Sequence, residues 1–473
     1  METCRQARQK DSKESGVALP REIGVVSGAE PRQDRGMEPN EILSVEEDCI
    51  QLLQEMIRIP SVNYGEGRGD ERAMATYVAE KLAEVGIASE LIETGPNRVN
   101  VVAKIPGADQ TRPGLVVHGH LDVVPADAKD WSVDPFSGLV KDGYIWGRGA
   151  VDMKDGDAMY LAIIRSWART GYLPPRNILL VFFADEEAGS EYGSHWLVKN
   201  RPELFEGYSE AISEVGGFSI TITGGHRLYV IETAEKGIRW MQLTATGTAG
   251  HGSFSNPNNA VTKLAKAVSR IGSYVWPERE TATNKKLFGK IAELTGETYD
   301  PARASDLLKH IGGASKMIGA TVTNTANPTM LNAGYKANVI PQHATAVVDG
   351  RFLPGYEEEL EATIKELVGS DATVEMLVRD KALEVDFSGP LVEAMSSALT
   401  AEDPDGIPVP YLMSGGTDNK ALSELGIVGY GFSPLLLPAD LDFFALFHGV
   451  DERVPIEGLR FGVRVLIRFL ENC

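Results

Sequence analysis

Cysteine is scarce in this sequence, which limits how the chain can be cross-linked or bind metal. The 473 residues include three cysteines, Cys4, Cys49 and Cys473, which lie far apart. This spacing forms neither a disulfide framework nor a thiolate metal motif. Any metal in this protein must therefore be held by histidine and carboxylate side chains.

Long apolar runs and an excess of basic residues are also missing. No run approaches the roughly 20 apolar residues that cross a bilayer, and the N-terminus has no apolar signal core. We therefore expect no membrane contact and a cytoplasmic location. The sequence has 46 basic and 67 acidic residues, so its formal net charge is -21. Because such a chain would repel phosphate backbones, we expect no nucleic-acid partner. An acidic surface explains most of this charge, although part of it could serve bound cations.

The length of the chain predicts two domains. Residues 1–40 are polar, charged and aperiodic, which predicts a disordered N-terminal extension. Across residues 41–236, helical patterns alternate with strand-like runs, and the continuous apolar run at 177–184 is typical of a central strand buried on both faces. This alternation predicts an α/β fold, with a mixed, mostly parallel sheet flanked by helices.

A different order of elements occupies residues 237–381. The pattern β-α-β-β-α-β is typical of a ferredoxin-like α+β fold, and a mostly helical segment at 277–317 interrupts it. Residues 382–473 then return to alternating helices and strands. The sequence therefore predicts a small α+β domain inserted into a larger catalytic α/β domain.

A histidine and an aspartate follow the predicted strand that begins at Gly114. His120 and Asp122 are two residues apart, so they share one side of an extended chain. A carboxylate in that position can bind one imidazole nitrogen and orient the other toward a metal. The structural alternative is a hydrogen-bonded core histidine.

Asp152 lies behind a glycine-rich turn that begins at Gly147. Glycines permit unusual backbone angles in such a turn, and an aspartate there can bridge two cations with its two oxygens. The structural alternative is an aspartate that caps the following helix.

More acidic residues follow other predicted strands. Asp185, Glu186 and Glu187 come directly after the central apolar strand, where open α/β sheets place ligand sites. Because neighbouring side chains point to opposite sides, one glutamate can bind a metal while the other faces the substrate water. Glu214 ends another strand, and His448 lies in a loop near the C-terminus. A solvated acidic turn, a plain turn and a surface histidine are the respective alternatives.

Together these positions supply two histidines and three carboxylates, enough for two zinc ions that share one carboxylate and keep open positions. In this order and spacing, the motifs resemble the two-zinc family of acetylornithine deacetylase, succinyl-diaminopimelate desuccinylase, zinc aminoacylase, carnosinase-type dipeptidase and carboxypeptidase S. The resemblance runs from about residue 45 to the end and rests on His-Leu-Asp at 120–122, Gly-Arg-Gly-Ala-Val-Asp-Met-Lys at 147–154, Asp-Glu-Glu at 185–187, Glu214, Gly-His-Gly-Ser at 250–253 and His448.

The resemblance implies a role for each residue of the metal centre. It assigns one zinc to His120, Asp152 and Glu214, and the other to Asp152, Glu187 and His448. It makes Glu186 the general base and Asp122 the partner of His120, and it implies a cis peptide bond before Met153. The same donors would also accept Co²⁺ or Mn²⁺.

The resemblance also makes the inserted domain a lid that carries a homodimer contact. It implies that His251 reaches the partner subunit's active site and stabilises an oxyanion, and that Asn338 and Arg351 contact substrate. The planar fork of Arg351 could bind a carboxylate. A turn histidine and a structural salt bridge are the alternatives for His251 and Arg351. A glycine-rich loop, which could equally be a generic turn, would approach the substrate carboxylate with Gly415, Gly416 and Thr417.

These observations lead to one functional hypothesis and one rival. The hypothesis is a metal-dependent hydrolase that cleaves an amide bond of a small peptide or N-acyl amino acid, with Glu186 as base for a water activated by two zinc ions. Deacylase and dipeptidase or carboxypeptidase activities both stay open. The rival is a catalytically inactive metal-binding dimerisation module, although the sequence lacks neither the base nor a ligand.

Overall fold

The computed structural model describes residues 36–473, so most of the predicted extension lies outside the described residues. The α-helices of this part of the chain are α1 (Pro39–Ile57), α2 (Arg72–Ala83), α3 (Lys154–Thr170), α4 (Ser194–Asn200), α5 (Ala260–Gly272), α6 (Ala282–Thr295), α7 (Ser315–Gly319), α8 (Glu357–Val368), α9 (Pro390–Glu402), α10 (Asn419–Leu422) and α11 (Ile456–Leu470). Its strands are β1 (Asn63–Gly65), β2 (Arg68–Gly69), β3 (Glu90–Gly95), β4 (Arg98–Ile105), β5 (Gly114–His120), β6 (Leu139–Lys141), β7 (Tyr144–Trp146), β8 (Ile178–Phe183), β9 (Tyr208–Ser213), β10 (Phe218–Thr221), β11 (Arg227–Glu235), β12 (Gly237–Thr246), β13 (Gly250–His251), β14 (Thr325–Ala333), β15 (Val339–Ile340), β16 (His343–Phe352), β17 (Thr373–Asp380), β18 (Leu383–Glu384), β19 (Gly406–Met413), β20 (Val428–Gly431) and β21 (Arg453–Pro455).

The first helix begins earlier than its apolar pattern alone suggests. Helix α1 starts at Pro39, two residues before the expected onset of order. The Glu41 carboxylate accepts the backbone N–H of Glu38 at 3.0 Å, which satisfies a donor that the helix itself leaves free. Proline at the first helical position also favours this start.

A large mixed sheet forms the framework of the protein. Its strands follow the order β10-β11-β20-β9-β5-β8-β4-β3, with β18 and β19 also paired to β11. The central strands β20, β9, β5 and β8 run parallel to one another, whereas β3 and β4 are antiparallel at one edge. Helices α1, α3 and α11 cover one face, and α4 and α10 lie on the other. This arrangement confirms the predicted helix-flanked α/β fold, with parallel pairing confined mainly to the centre.

The central strands β5 and β8 are buried throughout because both of their faces are covered. Leu115 and Val117 of β5 point into the core beneath α1 and α3, whereas Val116 points into the opposite core. All seven residues of β5 and all six of β8 are buried. A continuous apolar run is the pattern expected of such strands.

The second sheet belongs to the inserted lid. Its antiparallel strand order is β14-β16-β12-β17, and helices α5 and α8 pack on it. With the chain order β12-α5-β14-β16-α8-β17, this is the predicted ferredoxin-like topology. Alternate residues of β16 are buried, because one face of the sheet packs on the helices and the other does not.

The helical segment predicted at 277–317 joins the large domain. Leu287, Phe288 and Ile291 of α6 pack into the core of the large sheet, where α6 lies against β19. The sequence of an amphipathic helix shows its apolar face but not the core into which that face packs, so the position of α6 could not be predicted. The domain boundaries 237 and 381 stay a prediction. The next strand of the lid, β14, begins at Thr325, after α7 ends at Gly319.

The parallel centre of the large sheet brings the predicted site residues together. Strands β5, β8 and β9 end at the same edge, so His120, the 185–187 turn and Glu214 emerge side by side. No helix within residues 36–473 is long and apolar enough to cross a membrane.

Candidate metal centre

His120 is held in one orientation at the end of β5. Its ring is fully buried, and Nδ1 lies 3.0 Å from the backbone oxygen of Asp122, so this nitrogen is placed to donate its proton. The opposite nitrogen, Nε2, then faces Asp152 Oδ1 at 3.1 Å and Glu214 Oε2 at 3.5 Å. A neutral imidazole with one nitrogen fixed in this way is arranged to bind a metal through the other.

Asp152 lies between the two histidines. Its Oδ1 faces His120, and its Oδ2 lies 3.2 Å from His448 Nε2. The same His448 nitrogen is 3.0 Å from Glu187 Oε2. The Asp152–Met153 peptide bond is cis, as the resemblance implies. One carboxylate therefore joins two groups of donors, each with its own histidine.

The protonation of these groups reflects the crowding of negative charge. Burial, together with Asp152, raises the pKa of Glu214 to about 7 and raises that of Glu187. Burial and the Glu214 charge raise the pKa of Glu186 well above its ordinary value. Hydrogen bonds with Asp152 and Glu187 raise the pKa of His448 to about 10. The raised pKa values show that the cluster favours positive charge, whether from protons on these side chains or from bound cations.

Two groups of these side chains could hold a metal ion, and they differ from the ligand sets that the resemblance implies, because Glu186 belongs to one group and His448 to neither. One group consists of His120, Glu186 and Glu214, and another of His120, Asp152 and Glu187. Within each group, one donor atom from every residue lies within 4.8 Å of the others. Imidazole and carboxylate donors suit Zn²⁺, and cations would relieve the repulsion between the carboxylates.

Asp122 fixes the acidic turn as well as His120. The backbone N–H groups of Glu186 and Glu187 donate to Oδ1 and Oδ2 of Asp122, each at 3.1 Å. Asp185 adopts a left-handed conformation with φ 67°, which starts this tight turn directly after β8. The geometry leaves the Glu186 carboxylate 4.0 Å from His120 Nε2.

A buried polar network behind Asp122 was not predicted from the sequence. Asn63 Nδ2 donates to Asp122 Oδ2 at 2.9 Å and to Asp185 Oδ1 at 3.0 Å. Arg98 donates to Asn63 Oδ1 at 3.0 Å and pairs with Glu71. These residues come from separate loops and strands, and no spacing in the sequence links them to the site.

The loop that carries His448 is held by a buried ion pair. Arg148 Nη1 lies 2.5 Å from Glu452 Oε2, and its Nη2 donates to the backbone oxygens of Gly449 at 3.0 Å and His448 at 3.4 Å. Glu452 Oε1 accepts the backbone N–H of Val151 at 2.8 Å. The pair therefore ties the His448 loop to the turn that presents Asp152.

Asp418 is a further buried acid beside the centre. Its Oδ1 accepts hydrogen bonds from Ser190 Oγ at 2.7 Å and Ser194 Oγ at 2.5 Å. Its charge contributes to the raised pKa values of Glu186 and Glu214. No pattern in the sequence indicated that this residue, next to the glycine-rich loop, would face the acidic cluster.

The predicted lid residues fall into two places. His251 in β13 pairs with β15, its Nδ1 lies 2.8 Å from Ser253 Oγ, and Gly252 N–H donates to the Asn338 oxygen at 2.9 Å. Arg351 pairs with Ile238 at the opposite end of the lid sheet. The structure thus brings His251 and Asn338 together, but not with Arg351.

Two predicted substrate contacts have partners within the protein. Both ends of the Arg351 guanidinium fork donate to Asp349, at 2.7 and 3.1 Å, so the side chain forms the structural salt bridge considered as its alternative. Thr417 donates to Glu235 through its backbone N–H at 2.9 Å and its hydroxyl at 2.7 Å. Gly415 and Gly416 lie in the same loop, between β19 and α10.

Comparison with known families agrees with this geometry. The sequence profile of peptidase family M20/M25/M40 matches residues 116–472. The chain belongs to this family. The matched segment contains the five predicted metal ligands and Glu186, and it extends across the lid to the C-terminal helix.

Individual M20 relatives cover nearly the whole chain. Human aminoacylase-1 is 27% identical over 436 residues, which is 90% of this chain and 95% of the relative. Human carnosine dipeptidase 1 superimposes with a TM-score of 0.68 at 17% identity, over 92% of this chain and 98% of that one. An M20 metallo-carboxypeptidase of Sulfolobus solfataricus gives a TM-score of 0.66 at 19% identity, over 90% and 99%. These solved structures share the fold, and family membership makes the protein a metal-dependent peptidase or amidohydrolase.

Proposed function

We propose that this protein is a two-zinc enzyme that hydrolyses the amide bond of a small N-acyl amino acid or peptide. The observation that carries the proposal is the position of Asp152, whose two oxygens each face a different histidine. One zinc would be held by His120, Asp152 and Glu214, and the other by Asp152, Glu187 and His448. The shared carboxylate would keep the two ions close together.

Glu186 is the residue that would move the proton. Bound zinc would lower the pKa of a nearby water to about 7 and polarise the substrate carbonyl. Glu186 stands beside the ligands on the tight turn after β8, held there by its backbone bond to Asp122. From this position its carboxylate can accept the proton of the attacking water and deliver it to the leaving amine.

His251 is proposed to act in a second subunit. Arg351 pairs with Ile238 at one end of β12, and His343 pairs with Thr246 at the other end. These positions are eight residues apart, which is about 27 Å along an extended strand. His251 lies beyond the Thr246 end. One substrate cannot span this distance, so His251 and Arg351 of a single chain would not meet on it. A homodimer in which His251 stabilises the oxyanion in the partner's site satisfies both proposed roles.

The edge of the lid offers a surface for such a dimer. Met330 and Leu331 on the edge strand β14 are 65% and 64% exposed, and Tyr335 just beyond it is 83% exposed. Exposed apolar side chains on an edge strand favour contact with another chain. Size-exclusion chromatography with light scattering tests the dimer, and a monomer with full activity would contradict the role proposed for His251.

The substrate would carry a free carboxylate. We propose that the loop of Gly415, Gly416 and Thr417 approaches it through backbone groups, and that Arg351 contacts substrate from the lid of the same chain. Asn338, which lies beside His251, would contact substrate in the partner's site. A substrate carboxylate would compete with Asp349 for the Arg351 fork. N-acyl amino acids are the first class to test, because the 27% identity to human aminoacylase-1 extends over 90% of this chain.

A substrate screen with the zinc-loaded protein tests this function. The panel should contain N-acyl amino acids, dipeptides and C-terminally amidated versions of each. We expect hydrolysis of compounds with a free carboxylate and much weaker hydrolysis of the amidated ones. No turnover of any compound, with zinc bound, would instead support an inactive metal-binding module.

Glu186→Ala tests the proposed base. The variant should keep its zinc content and lose nearly all turnover, because water is no longer deprotonated. Glu191→Ala, an exposed acid in the same turn region, is the matched control. Near-normal turnover in Glu186→Ala would contradict the role of Glu186. The cytoplasmic location stays a sequence-based proposal, which cell fractionation would test.

A further inference from the structure

The chain crosses between the large sheet and the lid at two adjacent places, which we call the hinge. On the way in, β11 ends at Glu235 and β12 begins at Gly237, so Lys236 alone separates the two sheets. On the way out, β17 ends at Asp380, and β18 then pairs with β11 at Ala234 and Glu235. The hinge therefore consists of residues 235–237 and 380–384.

Lys420 connects both crossings. Its side chain is 4% exposed, and Nζ donates to the backbone oxygen of Lys236 at 2.8 Å and to Asp380 Oδ2 at 2.6 Å. Lys420 itself belongs to α10, which directly follows the loop of Gly415, Gly416 and Thr417. One buried ammonium thus holds the entering segment, the leaving segment and the start of α10.

Glu235 holds the glycine-rich loop from the same place. Both of its carboxylate oxygens accept hydrogen bonds from Thr417, and Oε2 lies 4.0 Å from Lys420 Nζ. The loop passes so closely that a Cβ atom on Gly416 would lie 2.6 Å from Lys420 Nζ. The hinge and the loop therefore share one set of buried polar contacts.

We infer that Glu235 and Lys420 are positioning residues that couple the angle of the lid to the placement of the 415–417 loop. The inference rests on the proposed function insofar as this loop receives the substrate carboxylate. Movement of the lid shifts Lys236 and Asp380, and the bonds of Lys420 transmit the shift to the loop. The backbone N–H groups of the loop would then face the substrate carboxylate only at the lid angle that also brings the lid residues to the substrate.

Simple adhesion between the domains is a poor explanation of this cluster. Buried ion pairs are no more stabilising than well-packed apolar side chains of similar size, because the charges lose their hydration. They do impose specific distances and directions, which apolar contacts do not. Those constraints act here on the two crossings of the hinge and on a loop beside the metal centre.

Hydrogen exchange tests the coupling without any substrate. Lys420→Met should accelerate amide exchange by about tenfold in three peptides at once, covering 234–238, 378–385 and 413–420. Lys420→Arg, which keeps a buried cation and its donors, should restore slow exchange. The control is Lys290→Met, which removes a half-buried lysine of α6 that pairs with Glu293. Faster exchange confined to 413–420 would overturn the inference.

Kinetics then separate positioning from mere folding. In Glu235→Gln and Lys420→Met, kcat/KM for a free-carboxylate substrate should fall on the order of 100-fold, while the values for the amidated compounds change little. Metal content should stay at the wild-type level. A uniform fall for both substrate types would indicate a structural role and overturn the inference. If the wild type hydrolyses nothing, the proposed function fails, and the exchange experiment still decides the coupling.

Discussion

Replacing Arg148 with methionine should weaken both the fold and the metal centre, because this side chain holds the His448 loop against the turn that presents Asp152. Arg148 and Glu452 are 3% and 0% exposed, and their charged atoms are 2.5 Å apart. The variant also loses the bond to the Gly449 oxygen at 3.0 Å. Without these contacts, the backbone oxygens of His448 and Gly449 lose the guanidinium that donates to them.

The size of the effect follows from the charge that remains. Breaking a buried pair costs about 3–5 kcal/mol when one charge is left alone. Burial raises the pKa of Glu452 to about 7 even with Arg148 present, so in the variant its carboxyl can be protonated near neutral pH. We therefore expect a loss of about 3 kcal/mol in the free energy of unfolding, at the lower end of that range. Loosening the support of a ligand should lower metal affinity by about 10- to 100-fold.

Urea unfolding and metal titration measure the two consequences. Arg148→Met together with Glu452→Gln should recover part of the stability, because the neutral amide can still accept the Val151 N–H without an unpaired charge. The control is Arg169→Met, which removes a surface pair with Asp48 and should cost about 0–1 kcal/mol. Wild-type stability and wild-type affinity for two metal ions in Arg148→Met would refute the reasoning.

Three further predictions address the same framework. Chelation of the metal should lower the thermal midpoint, since ligand at 100 times its dissociation constant stabilises by about 2.7 kcal/mol, and calorimetry before and after zinc is restored would check it. Gly119→Ala should lower the free energy of unfolding by about 1–3 kcal/mol, because the new methyl group would press on Asp157 and Met153. Gly289→Ala in α6 meets no atom within 4 Å and should raise it by about 0.5–1 kcal/mol. Equal stabilities of the two variants in urea unfolding would contradict this contrast. Burial raises the pKa of Glu471 from 4.5 to about 7, so between these pH values the folded protein binds more protons than the unfolded chain. The free energy of unfolding should therefore fall as pH rises through this range. Glu471→Gln should remove that slope between about pH 5 and about pH 8, and an unchanged slope in urea unfolding would contradict the assignment.

The clustering of the candidate metal ligands could be predicted because their chemistry and their position in the chain agree. His120, the acids at 185–187 and Glu214 each follow an apolar run, and parallel strands deliver such residues to one edge. His448 depended on the resemblance, since a loop histidine has no pattern of its own. The structure brings it within 3.2 Å of Asp152, which no periodicity could have indicated.

The residues that were not predicted act through tertiary contacts between distant segments. Asn63 supports Asp122 across 59 positions, and Asp418 meets Ser190 across 228. A sequence pattern reports neighbours along a helix or strand, so contacts of this separation leave no periodic trace. The helix α6 illustrates the same limit, because its apolar face was visible but the core that receives it was not.

The geometry of the lid separates two of its predicted site residues, Arg351 and His251. Arg351 pairs with Ile238, two residues from Lys236 at the hinge, whereas His251 lies beyond the far end of the same sheet, and that end is about 27 Å from Ile238 along β12. A lid rotation of about 20° would move that far end by about 9 Å while residues beside the pivot move little, a range typical of domain closure. Arg351 can therefore keep its orientation in open and closed states, whereas the position of His251 reports the angle of the lid. A hinge tied to the 415–417 loop by Lys420 would make this angle a condition for substrate binding at the loop.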